Sequence, residues 1–395
     1  MALPLNFPSV IAELNLLSIL SLLNFASGYR VPLHQATGRG AFDSIRAFVF
    51  TLYISSSAGG EDNLLSAKGM QSIEEGKVAE LMGVSDKIHI EKPHATLPGV
   101  LVGELGGPVW EVVQLVTKVM RETGNVLMTS GYPDMGSFVL EALKEGERAR
   151  KDNSNEKVHP ECDVILERLV RAIPAFQDMA LVDGQRELCC GTFLGLIRLI
   201  LNPNTSAVYC FKKALLTIHA INLRFGSSSS SVPVPRTTHL PIFSDNVIPS
   251  ILVHLGIIDL STSNQELGLA SLFPEAGTNE TLDLLLTRPP LVTDGNNAKP
   301  KEIPKEGPVL TKEQAFILRA AAVDACELII QTAQNLTDED LKPDSGENHD
   351  GAKENLSWLK DITLPEVDAW IWSIAKDRAD YRKLERFVLT GTTYF

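Results

Sequence analysis

Along most of this chain apolar residues return every three or four positions, the spacing of helices that bury one face. The periodicity predicts helices over residues 10–25, 41–55, 65–82, 107–123, 135–149, 161–172, 208–224, 246–255, 311–333 and 364–378. Two of them carry start signals. "TKEQ" at 311–314 and "TLPE" at 363–366 each place a threonine cap three residues ahead of Gln or Glu, the second with Pro365 in the first turn. Strand-like patterning is confined to "DMALVDGQREL", 178–188, which predicts one hairpin turning at Asp183-Gly184. The predicted class is therefore all-α with a minor β-hairpin.

The N-terminal apolar stretch reads as a core helix. Leu14, Leu17, Ile19 or Leu20, Leu23 and Phe25 recur near helical spacing, Glu13 and Asn15 interrupt the run, and no basic segment precedes it as in a signal peptide. Nowhere does a run of about 18 apolar residues occur, so no membrane span is expected. Residues 1–395 read as a single helical domain. Flexible insertions are expected at 226–238 (the "GSSSSSVPVP" segment), at the Pro-rich 286–308 and at the acidic 334–360.

Charge narrows the partners. The 395 residues carry 36 Lys and Arg against 49 Asp and Glu, a net charge of −13. Such a surface repels phosphate backbones, so a small-molecule substrate is expected and stable nucleic-acid binding is not. Five cysteines with no CxxC pair suggest reduced thiols, hence the cytosol or the nucleus. No HExxH is present, and "HIEKPH" (His89, His94) reads as a loop, so neither a metal nor another cofactor is expected. "TGRGAF" lacks the third glycine of a dinucleotide loop.

The candidate chemistry starts from two residues. In "VYCFKKALLTIHAINLRF", Val208, Phe211, Leu215 and Ile218 form one apolar stripe; Lys212 lies about 60° from its centre and Lys213 about 160° away, facing solvent. Lys212 is either a snorkelling side chain or an ammonium held beside a cleft carboxylate. Asp245 precedes the helix beginning near residue 246, where an N-cap is the default role, though a rigid capping aspartate can still aim one oxygen into a pocket. Arg319 and Glu327 share a helix face, as do Asp368 and Trp372. The C-terminal "YRKLERFVLTGTTYF" gathers Arg382, Arg386 and Tyr394, a set that can bind phosphate or simply pair on the surface.

Six stretches, taken in order, resemble the queuosine salvage family, the queuosine 5′-phosphate N-glycosylases, and most closely its fungal-type members. They are "LNFASGYRVPLHQATGRGAFDSIRAFVF", "AIPAFQDMALVDGQ", "CFKKALLTIHAI", "FSDNVIPSILVHLGIIDL", "LRAAAVDACELII" and "LPEVDAWIWSIAKDR" with the terminal "TTYF". The resemblance implies hydrolysis of queuosine 5′-monophosphate to queuine and ribose 5-phosphate, for reuse of queuine in tRNA modification. It also implies a helical fold similar to helix-hairpin-helix DNA glycosylases. The family's central aspartate falls on Asp245 and its lysine on Lys212. Carried over in the same way, Asn24, Phe25 and Asn246 belong to the base pocket. Asp368 and Trp372 flank the base or its cyclopentenediol arm, and Arg319, Arg386 and Tyr394 contact ribose and phosphate.

Two departures from the family pattern stand out. Members carry a further segment ahead of the "LNF" helix. Residues 189–207, "CCGTFLGLIRLILNPNTSA", interrupt the connection from hairpin to lysine helix like a retained intron, and a translated insertion there threatens the placement of Lys212. A glycosylase acting on intact nucleic acid, and an inactive protein that binds a modified nucleotide, are the alternatives.

Overall fold

Ser9 starts the first helix by accepting the Ala12 N–H with its hydroxyl, and from there α1 (Val10–Leu22) is buried along most of its length. Leu14, Ile19 and Leu22 are fully enclosed, each contributing about 2 kcal/mol by burial. Asn15 is enclosed too, its amide bonded to the Leu65 carbonyl and its oxygen to the Gly136 N–H. The computed structural model describes residues 5–57, 63–153, 158–182, 206–227, 232–287, 303–337, 339–341 and 356–395.

Around α1 pack α2 (Arg30–Thr37), α3 (Ala41–Ser57), α4 (Ala67–Ser72), α5 (Glu75–Met82), α6 (Pro108–Thr129), α7 (Met135–Asp152), α8 (Pro160–Ala172) and α9 (Lys212–Phe225). The second half supplies α10 (Val247–His254), α11 (Asn279–Leu286), α12 (Lys312–Gln334), α13 (Leu364–Asp377) and α14 (Ala379–Lys383). Helix accounts for 59% of the structure and strand for 7%, which makes the fold all-α. Both expected capping boxes, at Thr311 and Thr363, are formed.

Local signals under-read the rest. The helix expected over 65–82 breaks at Ile73 and Glu74 into α4 and α5, and α2, α11 and α14 were too short to show a period. The "HIEKPH" segment is strand, not loop: β1 (His89–Pro93) pairs antiparallel with β2 (Leu101–Leu105) in a hairpin exposed along both strands. Ladder hydrogen bonds supply what an absent apolar alternation could not announce. The expected hairpin at 178–188 is half right. Its first strand, β3 (Met179–Val182), pairs with β4 (Ser206–Tyr209) rather than with the residues just after Asp183-Gly184. That turn, and 189–205 of the intron-like segment, lie outside the described residues.

Two of the three expected insertions are tied down where they are described. In 232–238, Val232 is buried, the Pro235 carbonyl accepts from Asn222 and Arg236 pairs with Glu161. In 303–308, β5 (Glu306–Val309) pairs in parallel with β6 (Arg386–Val388). Most of 334–360 lies outside the described residues. No single helix among the described residues is long and apolar enough to cross a membrane.

Apolar burial falls into three clusters. One is built on α1–α9, a second on β3, β4, the first half of α12 and the C-terminal segment, and a third on α10, α13 and the second half of α12. Residues of the first and third, with Arg386 next to Phe387 of the second, line one cleft.

Candidate active site

The cleft encloses about 940 Å3 of space free of atoms, part of it open to solvent. Seven of the ten expected site residues line it: Asn24, Phe25, Lys212, Asp245, Asn246, Trp372 and Arg386.

Lys212 opens α9, and it is buried. Its ammonium donates to the Asn24 carbonyl at 3.1 Å and side-chain oxygen at 3.3 Å, and stands 3.6 Å from Asp245 Oδ2. Burial lowers its affinity for a proton, and the Asp245 charge opposes that effect. The displacement of Lys212 by the 189–207 segment does not occur: Ser206 and Ala207 belong to β4, and Lys212 faces the carboxylate.

Asp245 is not the N-cap. That position is Asn246, whose side chain makes no capping bond, while Asp245 Oδ1 accepts the Val247 N–H at 2.6 Å in a turn just outside the helix. Its second oxygen, Oδ2, is fully buried and accepts no hydrogen bond. A wholly enclosed carboxylate with one oxygen bonded and the other left to the cleft is costly unless a ligand uses it. Four more buried atoms without a hydrogen bond belong to residues lining the cleft: Asn246 Oδ1, Ser27 Oγ, Arg386 Nε and Asp43 Oδ1, the last with ion partners in Arg46 and Lys376. The Asn246 amide is held by the Phe387 carbonyl at 2.9 Å, which fixes the direction of its free oxygen.

Strain collects at the same place. Among the described residues only Ala26 (φ 75°) and Phe211 (φ 44°) have left-handed backbone without being glycine. One follows Phe25 and the other precedes Lys212. Each costs on the order of 1 kcal/mol. Packing of the 24–30 segment holds the first: a Cβ on Gly28 would come within 2.2 Å of the Leu389 carbonyl oxygen, so only glycine allows this approach, and Tyr29 Oη accepts the Gly391 N–H beside it.

Lys213 corrects the helical wheel. It is fully buried, not solvent-facing, because the end of α1 covers the second side of α9. Its ammonium donates to the Leu22 carbonyl at 2.9 Å, an orphan of the α1 C-terminus, and lies 5.1 Å from the centre of the Phe25 ring. Burial lowers its pKa to about 7.

Three expected contacts are not in the cleft wall. Arg319 is fully buried with both terminal nitrogens on Asp178, at 2.8 and 2.6 Å, so it has no surface for ribose or phosphate. Burial alone would lower its proton affinity, but Asp178 more than compensates and raises it. Asp368 sits behind the wall, one oxygen accepting the Phe243 N–H at 2.7 Å, rather than flanking a base. Burial pushes its pKa up to about 7; the Phe243 N–H opposes this and the Asp245 charge adds to it. The Tyr394 ring packs edge-on to Phe316, 6.5 Å between centres, away from the lining.

In their place stand Arg382, already named with Arg386 in the C-terminal cluster, and Arg30 and Phe42, which were not named. Arg30, the first residue of α2, and Arg382 join Arg386 in the wall, and none of the three forms an ion pair with a carboxylate among the described residues. Arg30 NH2 donates to the Arg382 carbonyl. Burial, then the charges of Arg386 and Arg382, bring the Arg30 pKa down to about 9; burial brings Arg386 to about 10, against the pull of Asp245. Three guanidiniums that repel one another in a cleft invite an anion. Also in the wall, Phe42 meets Trp372 edge-on at 6.5 Å, and Asp43 bridges to Lys376 at 3.5 Å. Arg382 lies four residues before Arg386, a visible pairing; Arg30 and Phe42 had no signal beyond membership in the first resembling stretch.

Among the described residues no cluster of three or more His, Cys, Asp or Glu is arranged to hold a metal, and Cys162, Cys210 and Cys326 are buried and form no disulfide. Comparison with protein-family models, with curated proteins and with solved structures finds no match for the chain.

Proposed function

We propose that this chain hydrolyses the N-glycosidic bond of queuosine 5′-monophosphate, releasing queuine and ribose 5-phosphate, as a soluble enzyme of the cytosol or nucleus that needs no cofactor. The observation that carries the reading is Asp245 Oδ2, enclosed, accepting no hydrogen bond and ion-paired with Lys212 at 3.6 Å, in a cleft that also holds three arginines without carboxylate partners among the described residues. That set suits a ligand with a developing positive centre at one end and a phosphate at the other. The base is named from the six resembling stretches of sequence. The expected likeness to helix-hairpin-helix glycosylases has no matching structure behind it, so the reading stands without it.

Cleaving the bond between C1′ and the base nitrogen leaves the ribose short of electrons. A carboxylate fixed beneath C1′ stabilises that oxocarbenium character or attacks it. Water finally supplies the hydroxyl at C1′, and its proton balances the departing base. A 7-deaza base has no N7 to protonate, which places more of the rate enhancement on the ribose side, at Asp245. Lys212, held by Asn24, pairs with the carboxylate and aligns it. Phe25 and Trp372 supply faces for the base. Arg30, Arg382 and Arg386 take the phosphate. In a cleft of this size one nucleotide fills the space.

The test is chromatographic. Purified protein incubated with queuosine 5′-monophosphate is expected to release queuine, and Asp245→Asn to lose at least about 1,000-fold in rate, the scale of removing a main electrostatic partner. Release by Asp245→Asn at the wild-type rate, or none from either protein, overturns the proposal.

A further inference from the structure

Lys212 and Asp245 come from different elements, and neither is held by its own helix alone. What joins them is one buried ion pair. Asp178, in the turn before β3, receives both terminal nitrogens of Arg319 from α12. The same carboxylate accepts the backbone N–H of Lys212 at 3.1 Å, and the Asp178 carbonyl accepts the Cys210 N–H at 3.1 Å. Arg319 Nε reaches the other way, donating to the Ser244 carbonyl at 2.9 Å, while Ser244 Oγ donates to the Arg319 carbonyl at 3.0 Å. The three hydrogen bonds of this guanidinium end beside the reacting residues: on Asp178, which itself accepts the Lys212 N–H, and on the Ser244 carbonyl, in the peptide preceding Asp245. Phe316 and Phe395 flank the guanidinium, ring centres 4.8 and 4.3 Å away, and exclude water from it.

We infer that Asp178 and Arg319 are positioning residues, a clasp that sets the Lys212–Asp245 separation without touching the ligand. The placement explains why a left-handed phenylalanine is tolerated at 211: the clasp pins the amides on both sides of it, Cys210 to the Asp178 carbonyl and Lys212 to its carboxylate. It also explains a fully buried arginine that has no route to the cleft. A lysine could not substitute, because one ammonium cannot bridge the two carboxylate oxygens and the Ser244 carbonyl with fixed geometry.

The inference rests on the hydrolase reading, and the test separates the two. Arg319→Lys, Asp178→Asn and Phe395→Leu are compared with wild type after circular dichroism shows each to be folded. On queuosine 5′-monophosphate the first two are expected to lose on the order of 100-fold in kcat, the cost of displacing reacting groups by about an ångström. KM and the affinity for ribose 5-phosphate should change by less than about threefold. The double variant should be no slower than the slower single one, since both break the same clasp. Raised KM with kcat retained would mean ligand contact and overturn the assignment, as would wild-type kcat in folded Arg319→Lys. Should both charge variants unfold, Phe395→Leu decides. It keeps both charges, so a several-fold fall in kcat at unchanged KM supports the clasp and wild-type kinetics refute it. A crystal structure of Arg319→Lys or Phe395→Leu gives the arm independent of substrate. A Lys212–Asp245 separation that stays at 3.6 Å refutes the clasp. A separation beyond about 4 Å supports it, even if wild type releases no queuine and only the substrate assignment fails.

Discussion

Replacing Arg30 by methionine tests whether the arginine cluster is a phosphate site. At neutral pH all three guanidiniums stay charged, so the folded state carries the cost of crowding and burying them. For Arg30 a pKa lowered to about 9 corresponds to roughly 4–5 kcal/mol. Solvent screening at this half-buried group removes about half of that, leaving on the order of 2 kcal/mol. The sign follows from the direction: a cation whose proton affinity is lower folded than unfolded destabilises the fold at every pH below about 9, and an anion beside it relieves the cost. Arg30→Met therefore removes a burden while losing two hydrogen bonds, to the Leu384 and Arg382 carbonyls. The variant without ligand should melt at or a few degrees above wild type. Ribose 5-phosphate at about 100 times its Kd should stabilise wild type by about 2.7 kcal/mol and the variant by much less, with free ribose inert on both. Thermal melts monitored by tryptophan fluorescence, with inorganic phosphate as a second probe, give the answer. If ribose 5-phosphate leaves the wild-type melt unmoved, or protects Arg30→Met equally well, the cluster is not the phosphate site.

Other consequences are as direct. The raised pKa of Asp368 means the folded state holds a proton there that the unfolded chain releases, so its contribution to stability is full below about pH 4 and is lost as pH rises through about 7. Asp368→Asn, which can still accept the Phe243 N–H, should match wild type in urea unfolding only below about pH 4 and exceed it by a few kcal/mol at pH 8; equal midpoints at pH 8 would contradict the burial argument. Gly28→Ala forces a Cβ against the Leu389 carbonyl and should cost more than about 2 kcal/mol while weakening ribose 5-phosphate binding, because Ser27 and Arg30 move with the turn. Trp372→Ala should raise KM for queuosine 5′-monophosphate and leave ribose 5-phosphate affinity within about twofold; calorimetry on both ligands checks whether the indole faces the base. Lys213→Met leaves the Leu22 carbonyl unpaired and frees the Phe25 ring, and should cost about 1–3 kcal/mol despite removing a buried charge.

What could be read along the chain is what local physics decides. The long helices are announced by apolar spacing, and their starts at Lys312 and Leu364 by threonine caps that bond only three residues ahead. Lys212 is buried as its helical wheel expected, although two members of that wheel's stripe, Val208 in β4 and the left-handed Phe211, lie outside α9, and Asp245 sits one residue ahead of the N-cap it was expected to be. Lys213 was misplaced for an equally local reason: a helical wheel supposes one open side, and nothing in residues 208–224 says that α1 will cover the other. Arg319 was taken for a ligand contact because its partner, Asp178, lies 141 residues away. The strand pairs escaped as well, since β1 and β2 are exposed on both faces and β5 meets β6 across a long connection.

The reacting group itself belongs to the tertiary structure. Asn24 meets Lys212 across 188 positions and Arg30 meets Arg382 across 352, distances over which no periodicity carries information. Sequence by itself determined which segments are helical and which residue types are available for chemistry, because those depend on neighbours within a turn or two. Only the packed fold decided that Asp245 keeps one oxygen free, that Lys212 faces it, and that three arginines share a wall. Burial, charge pairing and the absence of a hydrogen-bond partner are properties of a neighbourhood, and the chain assembles that neighbourhood from distant parts.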